Sequence, residues 1–119
     1  MDEQGWVIHL IVDDENFPNN TNHHTHGLQE KFNHFNLQIC LNLELPLICQ
    51  IFNIAVRNIE KGHIYEAGTW HENICLNIKV GFMLSVNDGE PVLRLLIPDE
   101  NGAFEAPGYK DQVNPVNIW

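Results

Sequence analysis

The longest unbroken pattern in the sequence is a two-residue alternation that runs from Ile74 to Val86. Every even position in this segment is apolar, and most odd positions are polar or small. Alternation of this kind predicts a β-strand with one buried face. The sequence Asn87-Asp88-Gly89 then predicts a turn, because glycine adopts a positive φ without strain. A second strand at 92–97 completes a predicted long hairpin.

The segment 46–61 has a different period and predicts an amphipathic helix of about 24 Å. Pro46 occupies a position that the first helical turn tolerates, and Gly62 stands where helices commonly end. Between them, apolar residues recur at steps of three and four: Ile48, Ile51, Phe52, Ala55 and Ile59.

The remaining periodic segments predict further strands near 7–12 and 37–43, with short strands at 23–28 and 63–67 as additional options. Together these elements predict an α+β fold, with a mostly antiparallel sheet of about four to five strands and one main amphipathic helix packed on one face. We expect a single domain over 1–119, ending in an extended, proline-containing tail from about 98 to 119. The predicted core comprises Val7, Leu10, Ile39, Leu41, Ile48, Ile51, Phe52, Ala55, Ile59, Ile78, Val80, Phe82, Leu84, Leu93 and Leu95.

The charge balance restricts the class of partner. Sixteen acidic residues against six basic ones give a net charge of -10, which argues against nucleic acid and anionic membranes as partners. Because the first residues are acidic and no apolar run follows a basic stretch, we expect no signal peptide, and no apolar stretch approaches the roughly 20 residues that cross a bilayer. Three cysteines without Cys-x-x-Cys spacing indicate reduced thiols, so we expect a cytoplasmic protein. The sequence leaves the oligomeric state open.

Several short motifs come in a recognisable order: Thr25-His26-Gly27-Leu28 after the first strand, a helix closed by Gly62, and the closing segment Pro91-Val92-Leu93-Arg94-Leu95-Leu96-Ile97-Pro98 with Phe104 beyond it. In this order and spacing, over roughly 6–116, the chain resembles the bacterial family named domain of unknown function 4262. The resemblance implies a small cytosolic bacterial protein with an α+β fold, and it implies no established activity.

Histidines supply the best candidate chemistry. If residues 23–28 are extended, His24 and His26 project from one face and His23 from the other. Two imidazoles on one face can share a divalent metal such as zinc, provided that a third ligand comes from His9, His71 or Glu66. We take His24, His26 and His9 as the candidate metal ligands; the alternative is a polar strand end with solvated histidines.

Other chemistry finds little support in the spacing of the residues. His71-Glu72-Asn73-Ile74-Cys75 is similar to a zinc-hydrolase motif that works on a helix, but here it opens a predicted strand. No set of base, nucleophile and oxyanion donors can be assembled from the spacing, so the sequence identifies no catalytic residue and leaves open whether the protein is an enzyme, with a non-enzyme favoured. No cofactor is expected apart from the divalent metal considered above. The sequence favours a non-catalytic protein-interaction module whose partner it does not identify. The excess of acidic residues is interpreted first as a solvated surface, and in a second interpretation as a face that docks on a basic protein. The alternative function is a metal-binding enzyme or sensor with a histidine- and carboxylate-lined cleft.

Overall fold

The computed structural model describes residues 5–12, 21–75, 78–87, 89–106, 109–110 and 112–113. These residues form a six-stranded sheet with one main helix and one short helix. The elements are β1 (Val7–His9), β2 (His23–His26), α1 (Leu28–Phe32), β3 (Asn36–Ile39), α2 (Leu45–Glu60), β4 (Trp70–Cys75), β5 (Ile78–Asn87) and β6 (Glu90–Leu96).

The strands lie in the order β1-β2-β3-β6-β5-β4. All neighbouring strands are antiparallel except β3 and β6, which pair in parallel with Leu37 opposite Leu93. The α+β class is therefore confirmed, whereas the predicted number of four to five strands is wrong. β2 is a regular strand that joins β1 to the rest of the sheet, and no strand forms at 63–67, where Tyr65 is instead buried in the core.

The predicted strand at 74–86 is in fact parts of two strands. β4 ends at Cys75, β5 begins at Ile78, and these two residues pair with each other in an antiparallel hairpin. The connection is two residues long, so the two-residue period continues across it and the sequence pattern does not reveal the reversal. The next hairpin forms as predicted, with Asn87 paired to Glu90 and Gly89 at a φ of 80°.

The main helix forms within one residue of its predicted bounds. α2 has Pro46 in its first turn, and Gly62 follows its end at a φ of 101°. Its buried residues are Ile48, Ile51, Phe52, Ala55, Val56 and Ile59. They pack in one cluster with β3, β5 and β6, where Leu37, Phe82 and Leu95 are almost completely buried. This cluster is the core of the protein, and it confirms the predicted apolar face of the helix.

Three predicted core residues are exposed instead: Val7, Leu10 and Leu84. Val7 lies on β1, which is at the edge of the sheet, and Leu10 directly follows it. Leu84 lines an open cleft of about 490 Å³ that α2 does not cover. Ile78, at the start of β5, is only half-buried.

The described part of the C-terminal tail is attached through Gln112 to Ile97, the residue that directly follows β6. The Gln112 side chain is buried, donates to the carbonyl oxygen of Ile97 at 2.7 Å and accepts from the Ile97 amide at 2.9 Å. Trp119 and the rest of 114–119 lie outside the described residues. Neither described helix has the length and apolar character that a membrane crossing requires.

Candidate metal site

The pairing of β1 with β2 brings three histidines together on one face of the sheet. His9 lies directly opposite His24, and His26 is two residues further along β2, so all three side chains project to the same side. The ring centroids of His9 lie 5.2 Å from His24 and 4.3 Å from His26, and those of His24 and His26 are 4.9 Å apart. One potential ligand atom from each ring lies within 4.8 Å of the other two. We call this group the three-histidine cluster.

The cluster is open to solvent on one side and held by protein on the other. His9 and His26 are exposed, whereas His24 is only 3% exposed. Nδ1 of His24 lies 2.9 Å from the backbone oxygen of Asn22. Because a carbonyl oxygen only accepts, Nδ1 carries the proton, and Nε2 is the unprotonated nitrogen of the neutral ring. In proteins, a metal-binding imidazole is typically oriented in this way, by a hydrogen bond from the ring nitrogen that does not bind the metal.

Asn22, which orients His24, belongs to a buried polar network behind the cluster. Its side-chain oxygen accepts from Nε2 of Gln38 at 2.8 Å, and its side-chain nitrogen donates to Asn87 at 2.8 Å. Gln38 in turn accepts from Nε of Arg94 at 2.9 Å. A buried network in which the members hold one another rigidifies its surroundings, so it fixes the backbone of Asn22 beneath His24.

Arg94 anchors this network at the centre of the sheet. The guanidinium is completely buried and donates to Oγ of Ser85 at 2.8 Å and to the backbone oxygen of Gln112 at 3.1 Å. Burial lowers the pKa of Arg94 from its usual range. The network therefore connects the three-histidine cluster with β5, β6 and the described part of the tail.

His71 and Glu66, the other candidate third ligands, do not join the cluster. His71 lies on β4, with its ring centroid 5.0 Å from that of His63 and 4.9 Å from that of Tyr65. Thr69 donates its only hydroxyl proton to the backbone oxygen of Glu66 at 2.6 Å, so Nε2 of His71 donates to Thr69 Oγ1 at 2.8 Å. Burial and the nearby His63 lower the pKa of His71.

His23 lies on the opposite face of β2, as the alternation requires, and is completely buried. Its Nδ1 accepts from the Ile11 amide at 3.2 Å, and its Nε2 has no hydrogen-bond partner. Burial lowers the pKa of His23, and the neighbouring His24 lowers it further. His23 is therefore a neutral residue of the interior and contributes no atom to the three-histidine cluster.

The segment from His71 to Cys75 is a strand, so its two ends do not share a helical face in the way that the zinc-hydrolase motif requires. Burial also raises the pKa of the Cys75 thiol, which keeps it protonated and unreactive at neutral pH.

The network of Asn22, Gln38 and Arg94 is not predicted by the sequence. The only signal was the position of Gln38 on the polar side of a predicted strand, which is equally typical of a solvent-exposed residue.

No protein-family model, curated protein or solved structure matches this chain. The fold and the cluster thus define the protein only as a small α+β protein with a group of histidines at the edge of its sheet. The resemblance to the domain of unknown function 4262 family stays a prediction.

Proposed function

We propose that this protein binds a divalent transition metal ion, zinc in the first place, through His9, His24 and His26. One observation carries the proposal: three imidazoles from two strands converge so that their potential ligand atoms lie within 4.8 Å of one another. Imidazole nitrogen is a common ligand of zinc, copper, nickel and iron, and three histidines form a known zinc ligand set.

The spacing of the rings is close to what a bound zinc ion requires. Two nitrogens bound to one tetrahedral zinc at about 2.0–2.1 Å lie about 3.3 Å apart. The three nitrogens would therefore approach one another by about 1.5 Å at most, given their present limit of 4.8 Å. Because His9 and His26 are exposed, rotation of their side chains suffices, while the buried His24 stays in place.

Three protein ligands leave a fourth coordination position on the solvent side, where water or an exchangeable ligand binds. Among the described residues, no carboxylate joins the cluster to act as a ligand or a base. We therefore favour reversible metal binding, as in a sensor, over metal-dependent catalysis, and we place this function in the cytoplasm, where the free thiols of Cys40, Cys49 and Cys75 stay reduced.

The test is a titration of the metal-free protein with Zn²⁺ by calorimetry, and with Co²⁺ by visible absorption. We expect one ion per chain and an absorption spectrum typical of tetrahedral Co²⁺ with nitrogen ligands. The double variant His9→Asn/His26→Asn loses this binding and, because both residues are exposed, keeps its fold.

The matched control is His63→Asn/His71→Asn, which removes two histidines whose ring centroids are 5.0 Å apart but leaves the cluster intact. This control keeps the binding of wild type. Equal binding by wild type and the His9/His26 variant, or equal loss in both double variants, would disprove the proposal.

A second candidate function is docking on a basic protein. Its support is that the described glutamates are exposed: Glu30, Glu44, Glu60, Glu66, Glu72, Glu90, Glu100 and Glu105. Asp13, Asp14, Glu15 and Asp88, which share in the acidic character of the sequence, lie outside the described residues. If docking is electrostatic, the association rate with a cationic partner falls as ionic strength rises, and a rate that does not change contradicts it.

A further inference from the structure

An open cleft of about 490 Å³ lies beside Leu84, on the side of the sheet that α2 packs against. Leu84 is paired with Leu93 and shares its face, yet Leu84 is exposed whereas Leu93 is buried in the core with α2. The lining comes from segments 29–35 and 64–67 together with these two leucines, and the chain neighbours of all lining residues are described. The volume is within the roughly 300–1,000 Å³ of small-molecule sites. We call it the Leu84 cleft.

The walls of the Leu84 cleft are formed largely by exposed apolar side chains. Phe35, Ile64 and Leu84 are 39%, 69% and 51% exposed, and they come from three separate segments of the chain. Single exposed apolar side chains are ordinary on a protein surface. A group of them that lines one concave surface is typical of a site for an apolar molecule.

Hydrogen bonds hold the walls of the Leu84 cleft in place. His34 joins two of the walls, because its Nε2 accepts from the Tyr65 amide at 3.1 Å and its Nδ1 donates to the Phe35 oxygen at 2.8 Å. The loop that follows Tyr65 is joined to β5, because the Gly68 amide donates to the Phe82 oxygen at 2.8 Å. A site that is formed in advance costs less free energy to order when a ligand binds.

The Leu84 cleft carries a single charge, the carboxylate of Glu66. Neither lysine nor arginine is among its described lining residues, and His34 is neutral because one ring nitrogen donates and the other accepts. Gln29 donates to Oδ1 of Asn33 at 3.0 Å, and both side chains are uncharged. Glu66 is exposed, and the net charge of -10 attracts cations to the protein. The cleft is therefore complementary to a cation and repels an anion.

We propose that the Leu84 cleft binds a small organic amine, with an ammonium group that pairs with Glu66 and an apolar body that covers Phe35, Ile64 and Leu84. The apolar body supplies most of the affinity, because it removes these side chains from water. The ammonium group supplies the selectivity, since a neutral molecule of the same shape gains no ion pair and a carboxylate is repelled. Three large apolar side chains favour a body bulkier than the stem of a lysine, so the ligand is a free small molecule and not a protein.

This inference does not depend on metal binding. Leu93 directly precedes Arg94 on β6, and the register of β2, β3 and β6 places Arg94 on the same face as Gln38 and His24. Because successive residues of a strand point to opposite faces, the Leu84 cleft and the three-histidine cluster lie on opposite sides of the sheet. The experiment uses protein treated with chelator, so that amine binding and metal binding are measured separately.

The experiment is a titration of isotope-labelled protein followed by heteronuclear NMR, with three probes of similar shape: phenethylamine, phenethyl alcohol and phenylpropanoate. We expect saturable binding of phenethylamine, with shifts of the backbone amides at 33–35, 64–67 and 84. The alcohol binds about threefold more weakly, which is the size of an exposed ion pair, and phenylpropanoate binds more weakly still.

Two variants separate the charge from the apolar wall. Glu66→Gln raises the dissociation constant of phenethylamine about threefold and leaves that of the alcohol unchanged, whereas the control Glu72→Gln, at an exposed glutamate outside the cleft, changes neither. Leu84→Gln weakens both probes at least about fivefold, and its control Leu47→Gln, at a leucine of α2 that is 42% exposed, weakens neither. Ile64→Gln repeats the test if circular dichroism shows that Leu84→Gln has lost its fold.

Four results would overturn the proposal. They are the absence of saturable binding, equal affinity of wild type for the amine and the alcohol, amide shifts that lie outside the Leu84 cleft, and equal effects of the cleft variants and their controls. Binding of a lysine-containing peptide without binding of phenethylamine would likewise refute it, because the occupant would then be a protein.

Discussion

Gln38 is the residue through which the buried network supports the three-histidine cluster, and its replacement by methionine gives the sharpest test of that network. Methionine has nearly the same length and shape but offers no donor and only a weak acceptor. In the wild type, Gln38 is completely buried, donates to Asn22 at 2.8 Å and accepts from Arg94 at 2.9 Å.

The loss of stability in Gln38→Met follows from the hydrogen bonds that Asn22 and Arg94 lose. The side-chain oxygen of Asn22 loses the hydrogen bond donated by Gln38, which costs about 1–3 kcal/mol, and the charged Nε of Arg94 loses the one accepted by Gln38, which costs about 1.5–3 kcal/mol. We expect the free energy of unfolding to fall by about 3–5 kcal/mol, which is a large part of the roughly 5–15 kcal/mol typical of a domain. The variant also loosens Asn22 beneath His24, so its zinc affinity falls by about tenfold.

The assay is urea unfolding followed by circular dichroism, with the midpoint and slope compared between variants. Gln50→Met is the control, because Gln50 lies on the exposed side of α2 and its replacement changes stability by less than about 0.5 kcal/mol. A loss below about 1 kcal/mol for Gln38→Met would refute the argument that these hydrogen bonds hold the network together. If Gln38→Met is destabilised but its zinc affinity is unchanged, only the claim that Gln38 holds Asn22 in place beneath His24 is refuted.

Two further predictions concern pH and backbone conformation. Burial lowers the pKa of His34, whose Nε2 accepts from the Tyr65 amide at 3.1 Å. On acidification, His34 therefore binds a proton at a higher pH in the unfolded chain than in the folded protein. This group therefore contributes fully to the free energy of unfolding above about pH 6.5, and its contribution falls on acidification below that pH by at most about 1.4 kcal/mol per pH unit. Urea unfolding midpoints measured across this pH range test the prediction. An equally steep fall in the variant His34→Gln would contradict it. The variant Gly27→Ala places a Cβ 2.6 Å from the Gly5 oxygen at a φ of 103°, and it lowers the free energy of unfolding by more than about 3 kcal/mol. The variant Gly62→Ala has a similar φ but adds its Cβ in open space, so it lowers the free energy of unfolding by only about 1–2 kcal/mol. Equal thermal stability of the two alanine variants would show that the close approach at Gly27 carries no energetic weight.

The sequence by itself determined the elements in which apolar residues recur at a regular spacing within one short segment. α2 and the β5–β6 hairpin follow from the spacing of apolar residues and from Pro46, Gly62 and Gly89, because each of these features acts within a few residues of the backbone that it shapes. The same reasoning placed His24 and His26 on one face of a strand.

Only the tertiary structure decided how those elements meet. The parallel pairing of β3 with β6, the exposure of Leu84 and the position of His9 opposite His24 all depend on strands that are distant in sequence. The sequence alone suggests a surface position for Arg94, but in the structure its buried guanidinium donates to Gln38, Ser85 and Gln112. Register and strand order are set by the total burial of the domain rather than by any short segment, so a pattern of hydrophobic residues fixes which face is apolar but leaves open which strand lies beside it.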